Sequence, residues 1–204
     1  MIKKISKQNW ESLNSYLLLG TFVFLTFGVT YLLYLGVQQM FKKSLQDRIV
    51  AIAATAAVQF NPSDLELING RESVDTANYK NTVKKLQSIR SRNIDLKYIY
   101  ILRKTNDNNN LSFVADADSL NPAHPFDLNG DGAIDEGDEL NWPGDLYDVS
   151  EFENLKNNAF STPTVDEELT KDQWGTFMSA SAPIFVSFGN SNEMIGIDMD
   201  VSEF

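Results

Sequence analysis

Lys97-Tyr98-Ile99-Tyr100-Ile101-Leu102-Arg103 changes the period of the chain: from here apolar and aromatic residues follow the period of two that marks strands. Three further stretches read the same way, Leu111–Ala117 (LSFVADA), Gly175–Val186 and Glu193–Val201. Thr105–Asn110 (TNDNNN) and Ser187–Asn192 (SFGNSN) supply turn residues between them, so the strands pair as antiparallel hairpins. Upstream the period is helical. Tyr79–Arg92 (YKNTVKKLQSIRSR) predicts a basic amphipathic helix whose charges form a solvated face. In Met40–Phe60 the residues Phe41, Leu45, Ile49, Ile52 and Ala56 make one apolar stripe. Asn61-Pro62-Ser63-Asp64 ends that helix and caps a short second one. Helices before strands, with an acidic, loop-rich middle from Asp118 to Asp172, give an α+β class. The roughly 160 residues after position 43 suit one domain with one core, and no internal repeat is visible.

Tyr16–Val37 carries no charge, and its 22 residues at about 1.5 Å each extend roughly 33 Å, enough to cross a hydrocarbon core. No small-residue cleavage site interrupts the run into Gln38–Lys43, so the stretch is expected to be an uncleaved, single-pass anchor behind a cytoplasmic tail of residues 1–15. Trp10 and Tyr16 sit near one interface, Tyr31 and Tyr34 near the other. Flanking lysines barely orient the span, with Lys3, Lys4 and Lys7 on one side and Lys42, Lys43 and Arg48 on the other. The remaining chain does. Beyond Lys43 it has 12 basic against 27 acidic residues, net −15, which repels anionic inner-leaflet lipid and nucleic acid. Residues 38–204 are therefore expected outside the cytoplasm. The lack of cysteine agrees with bacterial export without disulfides but equally with a cytosolic protein.

Asp127-Leu-Asn-Gly-Asp-Gly-Ala-Ile-Asp-Glu-Gly-Asp138 carries oxygen ligands at the spacing of an EF-hand calcium loop. Asp127, Asn129, Asp131, Asp135 and Asp138 fall at positions 1, 3, 5, 9 and 12, Ala133 at position 7 offers its carbonyl, and Gly132 permits the turn at position 6. Ile134 is expected to turn away from the ion into an apolar contact. Asp138 is one methylene shorter than the usual Glu, which predicts weak affinity, and Pro122 and Pro125 exclude an entering helix. The loop thus resembles a lone dockerin-type calcium loop inserted in another fold as a structural clip.

From about Phe41 to Val201 the chain also resembles an extracytoplasmic Cache (PDC, PAS-like) sensor domain of bacterial histidine kinases, diguanylate cyclases and chemoreceptors. The resemblance is carried by Arg48-Ile-Val-Ala-Ile-Ala-Ala54, Tyr98–Arg103, Phe113–Asp118, Gly144-Asp-Leu-Tyr-Asp148 and the closing Asp172–Ile184 and Met194–Asp200 segments. It implies a bacterial cytoplasmic-membrane protein with a PAS-like sheet and a pocket between that sheet and the loop-rich middle. Asp198 stands where related sensors hold a ligand amine, and Tyr100, Arg103, Tyr147, Trp174 and Ser179 would line the cavity around a small polar ligand. Each has a plainer reading: Tyr100 and Trp174 as core, Arg103 as an ion-pair partner, Asp198 as a turn stabiliser. Asp116 and Asp118 are alternative helpers of the calcium loop, and His124 reads as an exposed loop residue. The resemblance further implies a homodimer through the Met40–Phe60 helix or a separate signalling partner. It also implies that the chain is either a fragment whose output module follows Phe204 or a tethered module acting through a partner.

No nucleophile elbow, phosphate loop or zinc spacing is present and there is one histidine, so the reading is not an enzyme. The competing reading is a membrane-tethered calcium-binding adhesion or protein-interaction module without small-molecule sensing.

Overall fold

The computed structural model describes residues 7–120, 127, 132–134, 138–167, 169–172, 175–185 and 191–201. The chain divides into two compact units, Met1–Leu45 and Gln46–Phe204.

Helix α1, Lys7–Ala57, is the one helix among the described residues long and apolar enough to cross a membrane. From Tyr16 to Phe41 its large apolar side chains are exposed, Phe24 and Leu18 by more than 70 %. The hydroxyls of Thr21, Thr26 and Thr30 donate to the carbonyls of Leu17, Phe22 and Thr26 at 2.8, 2.8 and 2.9 Å. Each of these threonine hydroxyls is thereby satisfied inside the helix, as a hydrocarbon surrounding demands.

The second unit is α+β. Its part of α1 buries Ile49, Ala53, Ala56 and Ala57. Asn61 caps α2 (Pro62–Leu65), accepting from the Ser63 amide at 3.2 Å, with Pro62 in the first turn where no donor is needed. After a 3-10 turn at Arg71–Asp75, Thr76 caps α3 (Ala77–Ser91), which buries Tyr79, Thr82, Val83, Leu86 and Ile89 along one stripe. The strands are β1 (Leu96–Lys104), β2 (Asn110–Asp116), β3 (Leu146–Asp148), β4 (Thr164–Val165), β5 (Thr170–Asp172), β6 (Gly175–Ile184) and β7 (Glu193–Asp200). A short helix α4, Glu153–Asn157, lies between β3 and β4. All pairings are antiparallel in the order β3-β2-β1-β7-β6-β4, with β5 also on β6.

β1 lies inside the sheet, paired on both edges, and buries residues of both faces. Tyr98, Tyr100 and Leu102 share one face; Ile99, Ile101 and Arg103 take the other. The register extends these rows across the sheet as Tyr98–Asp198–Ser179, Tyr100–Gly196–Ser181 and Leu102–Met194–Pro183. Over the Tyr100 face lies a strap from Val149 to Asp166. Its Val149, Ala159 and Phe160 close a core with Leu102, Leu111, Phe113 and Met194, against which Tyr147, Phe152 and Leu155 pack.

The charged face expected on α3 is in part buried. Arg90 reaches inward and grips Asp118 with two bonds, 2.6 and 2.8 Å, and donates to the Lys97 carbonyl at 3.2 Å.

Candidate functional site

Between the strap and the sheet is a chamber of about 20 Å³ lined by Tyr100, Tyr147, Phe152, Leu155, Thr164, Asp166 and the strand residues 179–181. That volume holds about one water molecule. Phe152, Thr164 and Asp166 also border an open groove of about 760 Å³, whose other walls are Glu151, Glu153, Asn154, Asn157, Asn158, Val165, Glu167 and Leu169. Among the described residues lining either space there is no Lys, Arg or His.

Tyr100, Tyr147 and Ser179 come together in this chamber. The aromatic rings form a chain, with Tyr100 edge-on to Phe113 at 5.9 Å, Phe113 edge-on to Tyr147 at 6.0 Å, and Tyr147 stacked on Phe152 at 6.0 Å. Tyr100 lies across Gly196: a Cβ there would stand 2.3 Å from a Tyr100 ring carbon. An isolated glycine inside a strand pattern is the signal for such an approach, and it was readable in the sequence. Asp198 is 8 % exposed, and it sits in the row between Ser179 and Tyr98 on the chamber's face of the sheet.

Arg103 belongs elsewhere. On the opposite face its Nε donates to Glu193 Oε1 at 2.8 Å, one Nη to the Ile68 carbonyl at 2.8 Å and Asn69 Oδ1 at 3.1 Å, and the other to the Leu65 carbonyl at 2.7 Å. Four of its five N–H donors thus hold α2 and the residues after it against β1 and β7. It is a clamp on the fold rather than a wall of the chamber. Trp174 lies outside the described residues.

Among the described residues Asp116 and Asp118 are bonded within the fold. Asp118 takes the Arg90 fork; Asp116 accepts from the Asp118 amide at 2.8 Å and Asn141 Nδ2 at 3.1 Å. Burial, reinforced by the Asp118 charge, pushes the Asp116 carboxyl up to about 6 against the two donors and Arg90. Above it Tyr79 is fully buried, and its hydroxyl, beside Ser119, has no partner at hydrogen-bonding geometry among the described residues. Ser119 directs its own proton to the carbonyls of Asp116 and Asn141 at 3.0 and 2.8 Å. Burial raises the Tyr79 phenol to about 12.

Of the acidic loop, Asp127, Gly132, Ala133, Ile134 and Asp138 are described; Asn129, Asp131, Asp135 and, before the loop, His124 lie outside the described residues. Asp127 Oδ2 accepts from the Gly132 amide at 2.9 Å, joining the first and sixth positions, and Gly132 adopts a φ of +93°, which the turn requires of glycine. Asp138, at the twelfth position, is 2 % exposed. Ile134 departs from expectation: it is 61 % exposed and makes no apolar anchor. Among the described residues no three His, Cys, Asp or Glu side chains gather as a metal-holding group.

No known family, curated protein or solved structure matches this chain. The residues missed at the sequence level are those of the strap, above all Asn154 and Asp166. Asn154 donates to the Val165 carbonyl (2.9 Å) and Asp166 Oδ1 (3.1 Å) and accepts from Thr164 Oγ1 (3.0 Å) and Asn158 Nδ2 (2.8 Å).

Proposed function

We propose that the protein is a membrane-anchored, extracytoplasmic sensing module of the Cache type that takes a small polar solute between its sheet and the Val149–Asp166 strap. The observation that carries this reading is the chamber. Tyr100, Tyr147 and Ser179 are far apart in sequence yet share one apolar-walled space with a few directed oxygens, beside a groove of ligand size. A chamber this small implies that occupation displaces the strap. The long apolar helix supplies the anchor, and the net charge of −15 beyond Lys43 favours the outer face of the membrane. The Asp127–Asp138 loop is the proposed calcium clip, with Asp127, Asn129, Asp131, Asp135, Asp138 and the Ala133 carbonyl as the oxygen set. The described part fits that role: the Asp127–Gly132 contact prefolds the turn, and the ion would supply charge neutralisation to an acidic segment.

The solute role is tested by thermal melts of the full chain in detergent against a panel of amino acids, amines, carboxylates and sugars. A bound solute at a hundredfold its Kd stabilises the native state by about 2.7 kcal/mol, and Ser179→Val, which fills the chamber, removes most of that gain. A panel without any shift, or a shift that Ser179→Val retains in full, contradicts the reading.

A further inference from the structure

We propose that the strap is a latch whose distal end, Asp166, couples opening of the chamber to Gln46 on α1. The purpose of the latch rests on the sensing reading, but its existence does not.

Besides Tyr147 on β3, two kinds of wall enclose the chamber. Tyr100 and residues 179–181 belong to long strands, paired without a break from Tyr98 to Arg103 between β1 and β7 and from Phe177 to Ile184 between β6 and β7, so this wall is fixed. Phe152, Leu155, Thr164 and Asp166 belong to the strap, which β4 fastens to β6 through only two residue pairs, Thr164↔Ser181 and Val165↔Ala180. A solute larger than water must lift the strap, because that is the side with the least backbone pairing to break.

The strap does not lift piecemeal. Asn154, on α4, spends its whole side-chain amide on the far end: two donations to Val165 and Asp166 and an acceptance from Thr164, besides the bond from Asn158. Displacing α4 therefore pulls on residues 164–166. Asp166 is where that pull leaves the strap. Its amide donates to the Ser179 carbonyl at 3.0 Å, and its own carbonyl accepts from Gln46 Nε2 at 3.3 Å across 120 residues of sequence. Asp166 lines both chamber and groove, so a residue at the junction of the two spaces is also one bonded to α1. Linkage then requires the reverse: loosening Gln46 must loosen the strap.

Amide hydrogen exchange of the full chain in nanodiscs tests this without a ligand. Gln46→Ala removes one neutral hydrogen bond at a half-buried position and is expected to speed exchange across residues 153–166 roughly fivefold. Thr55→Ala, on an exposed turn of the same helix, is expected to leave it unchanged. Asn154→Ala is expected to speed strap exchange further, and adding Gln46→Ala to it is expected to bring little more, since both act through one connection. Unchanged strap exchange in Gln46→Ala, or effects of the two substitutions that multiply independently, overturns the latch. Coupled exchange in a protein that responds to no solute would keep the latch and remove the sensing reading.

Discussion

Asp116 is a buried carboxylate whose nearest cation is already claimed, because Arg90 gives its fork to Asp118. Its folded-state value of about 6 stands above the ordinary 3.8, so between about pH 4 and pH 6 the unfolded chain releases this proton before the folded chain does. The unfolded state then binds fewer protons, and stability falls as pH rises through that window. Asp116→Asn should remove the fall: its stability relative to the parent protein should improve from pH 4 to pH 7 by on the order of 1–3 kcal/mol, read from urea denaturation at each pH. A difference between the two proteins that does not vary with pH would show that Asp116 is not the titrating group. Gly196 shows the same economy in apolar terms, its missing Cβ being filled by the Tyr100 ring.

The Arg103 clamp is a contact between elements, joining β1 to β7 through Glu193, to α2 through the Leu65 carbonyl and to the residues after α2 through the Ile68 carbonyl. Glu193 is 3 % exposed, so Arg103→Ala strands a buried charge and should cost about 3–5 kcal/mol in denaturant melts; adding Glu193→Gln should return part of it. Unaltered stability in Arg103→Ala would return the residue to the list of ligand contacts. Of the two readings of Arg103, a period of two already favours the ion-pair partner, since it puts the residue on the face opposite Tyr100. The four long strands, α3 and the end of α1 were legible because each runs long enough to display its period. β3, β4, β5 and α4 were not: two to five residues show no period, and they persist through pairing and packing with distant segments. The strap's polar hub was illegible for the same reason, as Asn154 becomes informative only once Thr164 and Asp166 are beside it. The adjacency of first and last long strands, β1 with β7, is likewise a tertiary fact.

At the scale of the molecule, an apolar helix fit to span a membrane and an acidic α+β unit each carry their own physics. The acidic unit repels itself, most strongly where Asp127, Asp131, Asp135, Glu136, Asp138 and Glu139 crowd within thirteen residues. A divalent cation held in that loop, as proposed above, would neutralise the segment that precedes the strap. The direct test is a thermal melt of the full chain in detergent with chelator, calcium or magnesium, repeated for Asp127→Ala with Asp131→Ala. Millimolar calcium is expected to raise Tm of the parent protein more than magnesium does, and the double variant is expected to melt as the parent protein does in chelator whatever ion is added. An equal Tm for the parent protein in chelator and in calcium would contradict it.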